Sequence, residues 1–197
     1  MVQVKKAAVR GAILEAAERL FARQGYSSTQ MSQIAREAGV STSNIYVYFA
    51  SKLAVVYAIF DPWMRERIER IEQEARAIAE PSARLRHILL ALWEALPAEN
   101  NGFANNLMQA VANARADDEY RRDLLDWLED RLSAMIAECL PAARRGVVRD
   151  NLLAHMLFMA FDGFAMNRKL GGAPAPSTAA IVDLLHGLLL GRISKPR

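Results

Sequence analysis

Residues 34–49 read IAREAGVSTSNIYVYF. The run begins as a helix, stops at Gly39, restarts behind Ser41, and then carries polar residues where a core helix keeps an apolar face. Two helices that cross steeply over a short turn touch closely at one point, which demands a small side chain, and Ala35 supplies it. The turn needs a residue at ease with positive φ four positions on, and Gly39 stands there. Val40 and Ile45 then close a small core against Ile34. Each position has its own steric reason, so the spacing predicts a helix-turn-helix over about residues 30–49.

The flanks agree. Val9, Ala12, Ile13, Ala16, Leu20 and Phe21 recur at intervals of three and four, which predicts a first helix over about 5–24. Gly25 ends it, and Tyr26 is the apolar residue behind the cap. Thr29 is expected to cap the second helix, Ser41 the third, and Ser51 a fourth that starts at Lys52. Pro62 behind Asp61 leaves two readings of the fourth helix: a kink, or an end followed by a new helix with Pro in its first turn. Further helices are expected over about 63–79, 82–96, 103–114, 118–140, 147–169 and 178–192. The fold class is therefore all-α. A three-helix helix-turn-helix domain occupies 1–60, and a larger helical domain, big enough for its own core, occupies 61–197.

Composition narrows the function. The chain has 197 residues with ten Gly and seven Pro, a balance that suits helix throughout. The single cysteine, Cys139, permits no internal disulfide and no Cys-x-x-Cys, so a reducing cytoplasm is the expected compartment. Charged residues from Glu15 onward interrupt any signal-peptide core. The most apolar run, 151–167, contains His155 and Asp162 and falls short of the roughly 20 residues of a membrane span, so no membrane partner is expected. The formal net charge is +3, yet residues 1–52 hold seven basic against three acidic residues, a net of +4, and the remainder holds −1. The positive charge is N-terminal, where a polyanion selects it.

With Ile45 facing inward, a rotation of about 100° per residue turns Ser43 and Val47 outward and Asn44 and Tyr46 to the flanks. That small, hydrogen-bonding face suits a major groove: Asn bonds adenine bidentately, Ser meets several base edges, and a Val methyl touches the thymine methyl. Thr29, Gln30, Tyr46, Tyr48 and Lys52 are the candidates to hold phosphates. The third helix contains no Arg or Lys, so base choice rests on neutral contacts and groove shape. Lys5, Lys6 and Arg10 are candidates for further contacts from an N-terminal arm.

The stretch TQMSQIAREAGVSTSNIYVYFASK, preceded by LFARQGY, strongly resembles the N-terminal domain of TetR-family transcriptional regulators. Phe21, Gly25, Tyr26, Thr29, Ile34, Ala35, Ala38, Gly39, Val40, Ser41, Tyr46, Tyr48, Phe49 and Lys52 carry the likeness over roughly the first 60 residues. The resemblance implies a homodimer on double-stranded DNA, at a palindromic operator, usually as a repressor. It also implies a C-terminal domain that binds a small-molecule effector, with a dimer interface built from the last two long helices. Carried over by position, the DNA contacts fall on Thr29, Gln30, Ser32, Thr42, Ser43, Asn44, Tyr46, Val47, Tyr48 and Lys52. Val47 departs from the polar or aromatic residue that many members place there.

In the C-terminal body, the helices at about 147–169 and 178–192 carry broad apolar surfaces. Periodicity alone favours monomer core, whereas the resemblance favours a homodimer seam. Trp93, Phe103, Met108, Trp127, Phe158 and Met159 are candidates to line a ligand pocket, with Asn105, Gln109 or Asp162 as its polar groups; ordinary core is the rival reading for each aromatic and Met. His87, His155 and His186 stand singly on three helices without ligand spacing. No catalytic residue, metal or cofactor is expected. The reading is a cytoplasmic, ligand-responsive, dimeric DNA-binding repressor. Its rivals are a DNA-binding regulator without a small-molecule effector and, from another class, a helical enzyme or membrane-surface module.

Overall fold

The computed structural model describes residues 2–96, 106, 109–110, 122–160 and 177–192. Every regular element among them is helical. The chain divides into two compact units, residues 1–64 with 101–121 and residues 65–100 with 122–197.

In the first unit, α1 spans Val2–Gln24, α2 Met31–Glu37 and α3 Thr42–Tyr48. Gly25 and Gly39 both adopt left-handed conformations, with φ of +78° and +71°, so the two glycines that end α1 and α2 stand where a Cβ is strained. Behind Gly39 the chain closes a Schellman turn, in which the Val40 N–H reaches back to the Ala35 carbonyl at 2.9 Å. Ile13, Phe21, Ile34, Ala35, Ile45, Val55 and Val56 make a core in which each side chain is almost wholly buried. Ala110 lies in that core as well. Asn106, Gln109 and Ala110, counted with the C-terminal domain by sequence, fall with the first unit, where Ala110 is buried and Asn106 and Gln109 accept from the backbone at residues 26 and 27.

The fourth helix, α4, runs Lys52–Arg76 through Pro62. Of the two readings of Pro62, the structure takes the continuous one. A proline inside a helix forfeits one backbone bond, and buried Phe60, Met64 and Ile68 on either side hold the helix together across the gap.

In the second unit, α5 spans Pro81–Leu90 and continues as a π-helical turn, Ala91–Ala95. The carboxylate of Glu80 caps α5 by accepting the N–H groups of Ser82 and Ala83, which holds its pKa below the ordinary carboxylate value. Helix α6 spans Asp123–Cys139. A 3₁₀ stretch, Ala142–Asn151, follows, where a regular helix was expected from about 147. The departure is local: Arg149 is extended, and Asp150 and Asn151 both take positive φ, so regular helix starts only at 152. Helix α7 covers 152–160, and α8 spans Thr178–Leu190, capped at its start by the Ser177 hydroxyl and ended by left-handed Gly191. Leu85, Ile88, Leu89, Leu132, Ile136 and Val182 form the heart of this unit. Among the described residues, no single helix is long and apolar enough to cross a membrane.

Candidate nucleic-acid interface

Ser41 sits in extended conformation before α3 and accepts the Asn44 N–H at 3.1 Å, a bond that fixes where the third helix starts. Ile45 is fully buried, and its burial sets the rotation of the helix. Thr42, Ser43, Tyr46 and Val47 are consequently exposed, Val47 to 71% and Tyr46 to 52%, while Asn44 and Tyr48 lie at the rim. A large apolar side chain this exposed on a seven-residue helix gains nothing from the monomer's own packing. The Ser43 hydroxyl lies 3.0 Å from that of Ser41. Gln30 and Ser32 are exposed at the start of α2, where the Gln30 N–H donates to Gln33 Oε1 at 2.8 Å.

Two residues expected at phosphates are otherwise engaged. Thr29 is almost completely buried, and its hydroxyl donates to the Gly25 carbonyl at 2.8 Å; the residue that precedes α2 directly is Gln30, so the capping position is shifted by one from the expected Thr29. Lys52 donates its ammonium to the carbonyls of Tyr26 and Thr29, each at 2.7 Å, and stands 3.9 Å from the centre of the Tyr26 ring. Burial pushes its pKa below the ordinary lysine value. Lys52 thus staples the turn between α1 and α2 to the start of α4. Sequence alone does not reveal this, since a lysine at a helix start reads as a surface charge.

The N-terminal positive charge is also partly spent internally. Arg19 and Arg23 reach Glu37 at 3.1 and 3.4 Å, tying α1 to α2; the Arg19 hydrogen bond is the main reason that the Glu37 pKa lies low. Arg10 stacks 5.2 Å from the Phe49 ring centre. Lys5, Lys6 and Arg36 remain exposed and supply the unit's outward positive field.

Among the expected pocket residues, Trp93 and Phe158 line a small apolar cavity in the second unit together with Leu92, Leu96, Leu132 and Leu157. The π-helical turn forms one of its walls, and such insertions recur at functional sites. Trp127 lies under the guanidinium groups of Arg65, at 4.5 Å, and Arg131, at 5.7 Å. Met159 is exposed. Gln109 accepts from the Ser27 hydroxyl at 3.0 Å in the first unit. Phe103, Asn105, Met108 and Asp162 lie outside the described residues. Buried Cys139 has its thiol pKa raised to about 11, mainly by desolvation.

Residues 13–59 match the model of the tetR family of bacterial regulatory proteins. An HTH-type transcriptional regulator, HbdR of an Aromatoleum species, is 31% identical over 137 residues, which are 70% of this chain and 58% of its own length. The fatty acid metabolism regulator protein of Bacillus subtilis is 32% identical over 89 residues, 45% of this chain and 46% of its own. The chain spans about half the length of the curated relatives it matches. Among solved structures, Thermus thermophilus FadR, a TetR-family repressor in complex with lauroyl-CoA, aligns with a TM-score of 0.62 at 24% identity, covering 95% of this chain and 96% of that one. A TetR-family regulator from Bordetella parapertussis aligns with a TM-score of 0.55 at 26% identity, covering 92% and 94%.

Proposed function

Because the chain belongs to the TetR family of bacterial regulatory proteins, a family of transcriptional regulators and not of enzymes, we propose that it is a homodimeric repressor of a palindromic operator, released by a small-molecule effector. The observation that carries the DNA reading is the exposed face of α3: Ser43 and Val47 stand out, with Asn44 at their rim, beside a wholly buried Ile45, on a helix aimed by the Gly39 turn. In a major groove Asn44 pairs with an adenine edge, Ser43 hydrogen-bonds a base edge, and Val47 meets a thymine methyl. Gln30, Ser32, Thr42, Tyr46 and Tyr48 surround them as backbone contacts. Thr29 and Lys52 act behind this surface by shaping the turn.

Dimerisation follows from chemistry of a different kind. Leu152, Met156 and Met159 on α7 and Leu184 and Leu188 on α8 are large, apolar and exposed. Paired with a second copy, these faces leave water and fix the spacing of two heads, which successive major grooves require to be about 34–36 Å. An effector that prefers another spacing weakens DNA affinity by its differential affinity for the two states. Its proposed class is a fatty-acyl thioester, since similar structures hold stearoyl-CoA and lauroyl-CoA.

Selection of duplexes from a random pool, followed by fluorescence anisotropy with wild type and Asn44→Ala, tests the proposal. Enrichment of a palindrome, specificity lost in the variant, and release by lauroyl-CoA are expected. Equal weak binding to every duplex overturns the DNA reading; a palindrome that acyl-CoA does not release overturns the effector class alone.

A further inference from the structure

Asn106 is only 6% exposed, and its carbonyl oxygen accepts the N–H of Tyr26, 80 residues earlier, at 3.0 Å. The left-handed Gly25 takes Tyr26 out of the α1 ladder, so its buried amide finds its acceptor here instead of in the helix. Beside it, Gln109 Oε1 accepts from both the N–H and the hydroxyl of Ser27, at 3.4 and 3.0 Å. Lys52 in turn holds the Tyr26 and Thr29 carbonyls. The turn is therefore held twice, by Lys52 at the start of α4 and by Asn106 and Gln109, which lie far beyond the helix-turn-helix in sequence. It leads directly into Gln30 and α2, and α2 aims α3 through Ile34, Ala35 and Ile45.

We infer that Asn106 is a positioning residue for DNA binding: it touches no DNA itself but holds the 26–29 turn so that α2 and α3 present their contact face in register. The inference rests on the DNA-binding reading above. It implies that the functional head is not the first 60 residues alone but those residues completed by Asn106, Gln109 and Ala110. Loss of the acceptor removes the hydrogen bond of a buried amide, which lowers the population of the groove-competent register. Sequence-specific affinity then falls, while non-specific attraction, which depends on phosphate charge, does not.

The test uses the full chain, the duplex selected by wild type and a random duplex, at two salt concentrations. Asn106→Leu removes the acceptor at similar volume, and Asn106→Asp keeps an acceptor oxygen. Affinity of Asn106→Leu for the selected duplex is expected to fall about tenfold, a typical effect of one lost buried hydrogen bond. Its salt slope and its random-duplex affinity stay at the wild-type level, the Tyr26 amide exchanges faster with solvent, and Asn106→Asp recovers most of the loss. Wild-type affinity in Asn106→Leu, or an equal loss in Asn106→Asp with unchanged Tyr26 exchange, overturns the inference. If Asn106→Leu does not fold, Asn106→Asp against Gln109→Ala decides it: the inference requires the first to bind as wild type and the second to bind the selected duplex more weakly. A wild type that selects no duplex overturns the DNA-binding reading and this inference with it, whereas equal binding by wild type and Asn106→Leu overturns the inference alone.

Discussion

The outer face of α3 and the outer faces of α7 and α8 both expose large apolar side chains, and they differ in what surrounds them. On α3, Tyr46 and Val47 stand among Thr42, Ser43 and Asn44, on a helix of seven residues anchored by Ile45. On α7 and α8, Leu152, Met156, Met159, Leu184 and Leu188 are exposed together, on longer helices anchored by Leu157, Phe158, Val182 and Leu189. The first surface mixes methyl, hydroxyl and amide groups, the vocabulary of base edges. The second offers almost no hydrogen-bonding partners and is suited to another apolar face. Exposure alone thus does not name a partner; the chemistry between the exposed groups does.

The comparison breaks most visibly at its anchors. Ile45→Ala is expected to lower stability by about 2–5 kcal/mol, as large-to-small core substitutions do, and to abolish specific DNA binding; chemical denaturation and anisotropy measure both. Retained operator affinity in a folded Ile45→Ala protein would show that α3 is not aimed by that side chain. The double variant Met156→Glu and Leu184→Glu tests the second surface. Removing two apolar contacts costs about 3 kcal/mol, so the dimer dissociation constant should rise about a hundredfold in analytical ultracentrifugation, with the helical content of the monomer preserved. An unchanged dimer means that this face is not the seam.

Smaller effects sharpen the picture. Lys52→Met removes the donor to two carbonyls and should cost about 1–3 kcal/mol of stability. Its salt slope for DNA binding should match wild type, because Lys52 holds the turn; a slope smaller by about one identifies a phosphate contact instead. Val47→Ala, at an exposed position, should leave stability within about 0.5 kcal/mol of wild type and relax preference at a single base position in a selection experiment. The smallest effect is electrostatic. The folded pKa of Glu80 is depressed by the N–H groups that it caps, so its stabilisation is fully present above the unfolded carboxylate value of about 4.3 and fades as the pH falls through the folded value. Glu80→Gln should therefore lower stability in the neutral region and flatten the acid limb, the two profiles converging at low pH, as denaturation at a series of pH values would show.

Much of the recognition unit was legible because its constraints are local. Gly39 needs φ of +71°, Ser41 caps α3 within three residues, and Ile45 is one turn away; each leaves a mark at fixed spacing along the chain. The apolar character of α7 and α8 was equally legible, but whether those side chains are core or surface was not, since periodicity records that a face is apolar and not what lies against it. Pro62 was ambiguous for a related reason: a proline's effect on a helix depends on whether buried neighbours on both sides keep the helix intact.

By itself, then, the sequence determined the helix-turn-helix, the direction of its outward face and the all-α class, since these follow from backbone sterics and helical period over a few residues. Only the tertiary structure decided that Thr29 and Lys52 turn inward, that Trp93 and Phe158 line one cavity, and that Asn106, Gln109 and Ala110 pack with the first unit. Those outcomes depend on contacts between positions far apart in the chain, such as the Tyr26 amide and the Asn106 carbonyl. Such a contact leaves no periodic trace, because neither residue's own neighbourhood in sequence specifies the distance between them.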